Sequence, residues 1–151
     1  MLLYRIAKCN YIADLSGTGA RLYGGRWNSI GRPVVYLASS RALAVLEVLV
    51  HLSPTLIPDN FCQVTVEVPD DDVQILDLKK LPPNWQEYPE PALLKTIGDA
   101  FIKANKHLLL KVPSAVVKEE FNYLLNPAHV AMQAVKIVDQ QVFSFDERLI
   151  S

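Results

Sequence analysis

Residues 19–40, GARLYGGRWNSIGRPVVYLASS, place a glycine-rich turn directly ahead of a short strand and a helix. The continuous apolar run 33–38 predicts a strand that is buried on both faces. The two serines after it can cap a helix, which we expect over residues 41–52. The segment 19–32, which contains Arg21 and Arg26, is therefore followed at once by a buried strand of the predicted sheet.

Hydrophobic patterns predict further strands and one more helix. Residues 61–68 alternate, with Gln63, Thr65 and Glu67 on one face, which predicts a half-exposed strand. Because strands and helices mix without a regular strand–helix–strand repeat, we predict an α+β fold with an antiparallel or mixed sheet. The other predicted elements are strands at 2–7, 73–78, 108–112, 135–138 and 142–145, a helix from about Pro91 to residue 104, a surface loop at 81–91, and a loop or short helix at 122–127.

Length and composition favour a single domain, which we expect to span residues 1–151. The net charge of −1 excludes a global basic field that would recruit nucleic acid. No apolar run approaches the ~20 residues that cross a bilayer, and no signal peptide is evident, so we expect a cytoplasmic protein. Cys9 and Cys62 fit no metal-ligand spacing; a disulfide between them is open, but reduced thiols are favoured in this compartment.

Glu47 stands out as the acidic residue of the helix predicted over residues 41–52. The other polar residues of this helix are Arg41 and His51. Helices that are apolar on every other side are usually buried, and a buried carboxylate is costly unless it has a partner or performs chemistry. The alternative is a half-exposed helix edge, where Glu47 and His51, four residues apart, form a surface pair.

Arg26 lies in the glycine-rich turn 24–28, a setting that indicates phosphate binding. Glycines let the backbone approach a ligand closely, and a guanidinium offers a planar fork to phosphate oxygens. The alternative is an ordinary glycine turn whose arginine pairs with a surface acid. The turn matches neither the Rossmann nor the Walker pattern, so a nucleotide would have to be held in another way.

The remaining candidates carry weaker signals. Tyr36 lies in the middle of an apolar strand, where a core tyrosine with a bonded hydroxyl is the ordinary interpretation. Ser114 follows a strand end and a proline, a position that projects into clefts, but no nucleophile-elbow motif surrounds it. The three histidines form no zinc pattern, so the sequence predicts no metal site.

Taken in order, the motifs resemble a known family. GGRWN, VVYLASS, ALAVLEVLVH, VPSAVV, NYLLNP and FSFDERL follow one another over about residues 4–149. Together they resemble the RES domain, the toxin half of bacterial Xre–RES type II toxin–antitoxin modules. The arginine, glutamate and serine that name this family fall on Arg26, Glu47 and Ser114, and Tyr36 matches its pocket tyrosine. The resemblance implies an ADP-ribosyltransferase-like fold, a compact α+β domain with a split, mixed or antiparallel sheet.

The resemblance also implies an enzyme that degrades NAD at the bond between nicotinamide and ribose, by hydrolysis or phosphorolysis. Glu47 would hold a ribose hydroxyl and stabilise the developing cation, as carboxylates do in glycosidases. Arg26 would bind the pyrophosphate or its neighbouring ribose, and Tyr36 would stack on nicotinamide. Ser114 would orient the ribose or Arg26. The further candidates for binding NAD are Asn28 and Asn122.

One protein partner is implied by the resemblance, an Xre-type helix-turn-helix antitoxin that blocks the NAD cleft. The antitoxin, rather than this chain, would contact DNA. A homodimer and a larger toxin–antitoxin assembly are both compatible with the resemblance, and NAD would be the substrate, with no metal. Two other functions stay open: an ADP-ribosyltransferase that modifies a cellular protein, and a non-catalytic module that binds a phosphorylated ligand or a peptide.

Overall fold

A computed structural model describes residues 1–53, 55 and 58–150 of the chain. The strands in this part are β1 (Leu2–Lys8), β2 (Val35–Ala38), β3 (Phe61–Glu67), β4 (Val73–Ile75), β5 (Leu109–Pro113), β6 (Phe121–Leu125) and β7 (Lys136–Phe143). The helices are α1 (Thr18–Tyr23), α2 (Arg41–Leu49) and α3 (Ala92–Ala104), with short 3-10 helices at Leu78–Lys80, Val130–Ala134 and Glu147–Leu149. This mixture confirms the predicted α+β class.

The strands of the described chain form one mixed sheet in the order β4-β5-β6-β2-β1-β3-β7. β4 and β5 run parallel, and the other neighbouring pairs are antiparallel. The register of β1 on β2 consists of a single pair, Tyr4 with Ala38, whereas β3 pairs along the whole of β1. The two halves of the sheet are therefore joined by a short contact, rather than being two separate sheets.

The two longer helices, α2 and α3, lie on the same face of the sheet. Leu43 of α2 packs with Ile6 and Phe61, and Leu94 and Phe101 of α3 pack with residues of β5 and β6. The opposite face is covered by the segments that precede α1 and β7. The two helices cover different parts of their face, and the middle of the sheet between them forms the floor of a cleft.

Two sheet segments differ from the prediction. Residues 122–127, predicted as a loop or short helix, contribute to β6, a central strand between β5 and β2. Asparagines and a proline indicated a loop there, but Leu124 and Leu125 are fully buried on opposite faces. The two predicted strands at 135–138 and 142–145 are largely one strand, β7, because its polar middle lies at the exposed edge of the sheet, where water solvates it.

The prediction that residues 61–68 form a half-exposed strand is wrong. Gln63 and Thr65 are 5% and 3% exposed. The reason is that β3 is an inner strand between β1 and β7, and the helix-side face of β3 continues the apolar cluster around Phe61. The hydroxyl of Thr65 has no hydrogen-bond partner within the described residues.

The helices also differ from the prediction in extent. α2 begins where expected, because Ser40 Oγ accepts a hydrogen bond from the Leu43 N–H, but it ends at Leu49. α2 is not buried all round, since Leu46 and Val50 are exposed. The sequence did not predict α1. In the described chain, none of the helices combines the length and hydrophobicity needed to cross a bilayer.

Cys9 and Cys62 form a disulfide, so the preference for reduced thiols is wrong. The antiparallel register of β1 on β3 places Ala7 opposite Cys62. Cys9, just beyond the end of β1, therefore comes within 4.8 Å of Cys62, measured between Cα atoms. A separation of 53 residues hid this proximity in the sequence.

Candidate active site

A cleft of about 1390 Å³ opens on the helix side of the sheet. Its walls come from α1 and the turn before β2, from α2, from the loop 81–91 and the first turn of α3, and from the end of β5 and the start of β6. Four residues singled out in the sequence line this cleft, and they come from four different parts of the chain. They are Arg26, Tyr36, Glu47 and Asn122.

The carboxylate of Glu47 is held by two side chains from the neighbouring strands. Glu47 Oε1 accepts hydrogen bonds from Ser114 Oγ at 2.6 Å and from Asn122 Nδ2 at 2.7 Å. Within the described residues, Glu47 Oε2 accepts no hydrogen bond. No ion pair joins Glu47 to His51 there either, so the alternative of a surface pair between these two residues is wrong. Glu47 is half-buried in the cleft wall with one oxygen fixed and the other available to a ligand.

Sheet geometry explains how these three side chains meet. Asn122 is opposite Ala38 on β2 and opposite Val112 on β5. Ser114 follows β5 directly, and α2 begins just after β2. The end of β2, the end of β5 and the start of β6 therefore lie side by side. The inner face of α2 places Glu47 above these strand ends.

Ser114 acts as a support for Glu47. Its side chain is almost fully buried, with 1% of the residue exposed. Its hydroxyl donates to Glu47 and accepts hydrogen bonds from the N–H groups of Val116 and Val117, both at 3.0 Å. Ser114 donates its hydrogen bond to Glu47. Within the described residues it forms no hydrogen bond with Arg26, so no contact supports the expected role of orienting Arg26.

Arg26 is held by backbone carbonyl groups. Its Nη1 donates to the carbonyl oxygen of Trp85 at 2.9 Å and to that of Glu87 at 3.1 Å. Both carbonyls belong to the proline-rich loop 81–91, which forms a wall of the cleft. The alternative in which Arg26 pairs with a surface acid is therefore not what forms. A guanidinium carries five N–H groups, so donors remain for a ligand.

Tyr36, which is half-buried, and Asn28, which is fully buried, form a hydrogen-bonded pair at the glycine-rich turn. Tyr36 Oη donates to Asn28 Oδ1 at 2.6 Å and accepts from the Trp27 N–H at 3.1 Å, and burial raises the pKa of Tyr36 well above its usual range. Asn28 is 0% exposed and donates to three backbone carbonyls. The Tyr36 hydroxyl is occupied by these contacts, and Tyr36 lines the cleft, whereas Asn28 contacts Tyr36 without lining the cleft itself.

The sequence analysis assigned no role to two cleft residues from the loop 81–91 and the first turn of α3. Lys95 and Glu90 form an ion pair at 2.5 Å, and both line the cleft. Their only sequence signal is a five-residue separation across the predicted start of a helix, which is too common to indicate a site. In the described part of the chain, no group of three or more histidine, cysteine or acidic side chains is arranged to hold a metal ion.

Comparisons with known proteins identify the family of the chain. The family model of the RES domain matches residues 2–146. "Toxin Res" of Photorhabdus laumondii subsp. laumondii is 40% identical over 155 residues, which cover 99% of this chain and 97% of that protein. "Prs ADP-ribosylating toxin" of Sphingobium sp. is 40% identical over 140 residues, which cover 91% of this chain and 87% of that protein.

A solved structure has a similar fold. The crystal structure of the M. tuberculosis MbcT–MbcA toxin–antitoxin complex matches with a TM-score of 0.76 at 19% identity, over 95% of this chain and 84% of that chain. The family model and the relatives thus define the class of the protein as a toxin of a toxin–antitoxin system. The chain belongs to the RES-domain family. The family resemblance read from the sequence motifs is confirmed.

Proposed function

We propose that this toxin cleaves the bond between nicotinamide and ribose in NAD and transfers the ADP-ribose to water or phosphate. One observation carries the proposal: the Glu47 carboxylate, fixed by Ser114 and Asn122, lines the same cleft as the Arg26 guanidinium. The cleft volume of about 1390 Å³ exceeds the ~300–1,000 Å³ of common small-molecule sites, so a dinucleotide has room in it.

The chemistry requires stabilisation of positive charge at the ribose. When the bond from ribose C1′ to the pyridinium nitrogen breaks, its electron pair neutralises the departing nicotinamide, so no general acid is needed. C1′ becomes cationic, and a fixed carboxylate nearby stabilises that charge. Glu47 Oε2 would accept a hydrogen bond from a ribose hydroxyl. Water or phosphate then bonds to C1′, and attacking water releases its proton to solvent.

Arg26 and Tyr36 would bind the rest of the substrate. The loop carbonyls of Trp85 and Glu87 orient one end of the guanidinium, and its remaining N–H groups can bind pyrophosphate oxygens. The Tyr36 hydroxyl is occupied by Asn28, which leaves the aromatic ring for stacking on nicotinamide. Asn28 contributes to binding by fixing that ring.

A protein partner would cover the cleft. Its rim carries exposed apolar side chains, with Tyr23, Tyr88 and Val50 at 82%, 78% and 55% exposure. Exposed apolar groups clustered at a pocket are typical of a protein-binding surface. We propose an Xre-type antitoxin as this partner, supported by the solved toxin–antitoxin complex that has a similar fold.

The proposal is tested by incubating the purified chain with NAD, with and without phosphate, and identifying the products. We expect nicotinamide together with ADP-ribose, or with its phosphate ester when phosphate is present. Glu47→Gln should abolish turnover because it keeps the size of the side chain and removes its charge. Glu67→Gln, at an exposed position at the end of β3, is the matched control and should retain activity. NAD left intact by folded wild-type protein would overturn the proposal.

Transfer to a protein is the second candidate, favoured by the relative named "Prs ADP-ribosylating toxin". The same cleft and the same cleavage step would serve, with a protein side chain in place of water. Radiolabelled NAD added with a bacterial lysate separates the two: a labelled protein band that requires Glu47 supports transfer. Label found only in small molecules supports hydrolysis or phosphorolysis. Saturable NAD binding without nicotinamide release would instead indicate the non-catalytic binding module.

A further inference from the structure

We propose that Lys95, fixed by Glu90, is a positioning residue that holds the turn carrying Arg26 in the orientation needed to bind a diphosphate. The inference rests on the proposed function in taking NAD as the ligand. Lys95 lies in the first turns of α3, and its Nζ donates to Glu90 Oε1 at 2.5 Å and to the carbonyl oxygen of Gly25. The residue next to Arg26 is thus tied directly to α3.

Two more contacts from α3 hold the same turn. Gly98 packs so closely that a Cβ there would overlap the carbonyl oxygen of Trp27. Asp99 Oδ1 accepts a hydrogen bond from the Ser29 N–H at 2.9 Å. Lys95, Gly98 and Asp99 are spaced by three and four residues, so they form one face of the helix.

The pattern of these contacts explains why Arg26 reaches the cleft. α3 holds alternate residues of the turn, Gly25, Trp27 and Ser29, through their backbone atoms. The residues between them are the two that carry functional side chains. Arg26 lines the cleft, and the buried Asn28 accepts a hydrogen bond from the Tyr36 hydroxyl. α3 therefore fixes the backbone of the turn in the orientation in which the Arg26 side chain lies in the cleft.

Glu90 gives the Lys95 contact a second consequence. Glu90 lies in the cleft wall with its side chain 15% exposed, and the hydrogen bond from Lys95 holds the pKa of Glu90 below its usual range. Without Lys95, an uncompensated carboxylate would be left near the Arg26 guanidinium. It would compete with a diphosphate for that cation, so loss of Lys95 should weaken binding in two ways.

The test is steady-state kinetics with NAD on Lys95→Met, Lys95→Arg, Glu90→Gln and the double variant Lys95→Met/Glu90→Gln. Lys103→Met, an exposed lysine on the same helix, is the matched control. We expect Lys95→Met to raise KM about tenfold with kcat within about twofold, the signature of lost binding rather than lost chemistry. Lys95→Arg should recover most of the affinity, and the double variant should bind better than Lys95→Met alone.

A binding measurement separates failure of this inference from failure of the proposed function. Titration calorimetry with inorganic pyrophosphate follows the anion site without any turnover. Wild-type protein that leaves NAD intact but binds pyrophosphate more tightly than Lys95→Met does would overturn NAD cleavage and uphold the role of Lys95. An unchanged KM and unchanged pyrophosphate affinity in folded Lys95→Met would overturn the role of Lys95. Should Lys95→Met fail to fold, a wild-type KM and a wild-type pyrophosphate affinity in the folded double variant, which lacks the contact from Lys95 to Gly25, would overturn it as well.

Discussion

Ser114 Oγ and Glu47 Oε1 are joined by a 2.6 Å hydrogen bond between residues 67 positions apart in the sequence. The same hydroxyl accepts hydrogen bonds from two backbone N–H groups of the turn after β5. The direction of the Ser114 O–H is thereby set by the backbone, and the carboxylate takes its orientation from the hydroxyl. Ser114 therefore connects the sheet to the Glu47 end of the cleft.

Ser114→Ala should therefore impair both stability and turnover. Removing the hydroxyl leaves the N–H groups of Val116 and Val117 without that acceptor and leaves Glu47 Oε1 with Asn122 as its one donor. We expect this loss to lower the free energy of unfolding by about 1–3 kcal/mol. We expect kcat to fall at least ~10-fold, because a less well oriented Glu47 stabilises the cationic ribose less well. Urea unfolding and NAD turnover measure the two effects. Ser144→Ala, at an exposed position, is the control and should change neither.

Asn122→Asp should inactivate the protein more severely than Asn122→Ala. The asparagine amide donates to Glu47 at 2.7 Å, and an aspartate there would put two carboxyl groups within hydrogen-bond distance. Two carboxylates this close repel each other, so we expect kcat to fall further in Asn122→Asp than in Asn122→Ala, which only removes the donor. Steady-state kinetics with NAD on both variants measures the two losses. Equal losses of kcat in the Asp and Ala variants would contradict the prediction.

Much of the site was predictable from local sequence, but the contacts within it were not. Glu47 became a candidate because the apolar pattern of residues 41–52 predicts its helix, and Arg26 because two glycines precede it. The partners of Glu47 are separated from it by 67 and 75 residues, and no local pattern encodes such pairings. The contact between Arg26 and the loop 81–91 could not be predicted for a different reason. The loop binds Arg26 through backbone carbonyl groups, which every residue type has.

The fold shows the same division. Strands with continuous or alternating apolar residues were placed nearly correctly, as at β1, β2 and β5. β6 was missed because Asn122 and the asparagine–proline pair after it are typical of loops, while its burial comes from the strands on either side. β7 was predicted as two strands because polar residues in its middle are typical of a turn. Its position as the outermost strand of the sheet, which lets these residues contact water, is not encoded in the local sequence.

Gly25→Ala should disturb the pocket where Gly19→Ala does not. A Cβ at Gly25 would lie 2.7 Å from Tyr36 Oη and 2.9 Å from Asn28 Oδ1, so it would push apart the hydrogen-bonded pair beneath the turn. At Gly19 a Cβ meets nothing within 4 Å. We expect Gly25→Ala to lower stability by about 1–3 kcal/mol, as overpacking does. Thermal unfolding compares the two variants, and equal melting temperatures would show that the pocket adapts.

The pH dependence of stability should depend on Asp72, far from the cleft. Asp72 Oδ1 bonds to His107 Nδ1 at 2.7 Å, and Asp72 Oδ2 accepts from the Leu108 N–H at 3.1 Å. These bonds, the one with His107 foremost, hold the pKa of Asp72 below its usual value. A carboxyl whose pKa is lower in the folded state stabilises the fold fully above its unfolded pKa of ~3.9. That contribution is lost as the pH falls through the folded-state pKa.

Asp72→Asn should consequently lower the urea midpoint at pH 7, and the difference from wild type should shrink as the pH is taken from about 5 to about 2. The measurement is a series of urea unfolding curves across this range for both proteins. Asp71→Asn is the matched control, because the carboxyl group of Asp71 is next to Asp72 in the sequence but is exposed. Its urea midpoint should equal that of wild type at every pH. A gap between Asp72→Asn and wild type that stays constant down to the lowest pH would show that the amide loses packing or hydrogen-bond geometry rather than the favourable ionisation of Asp72.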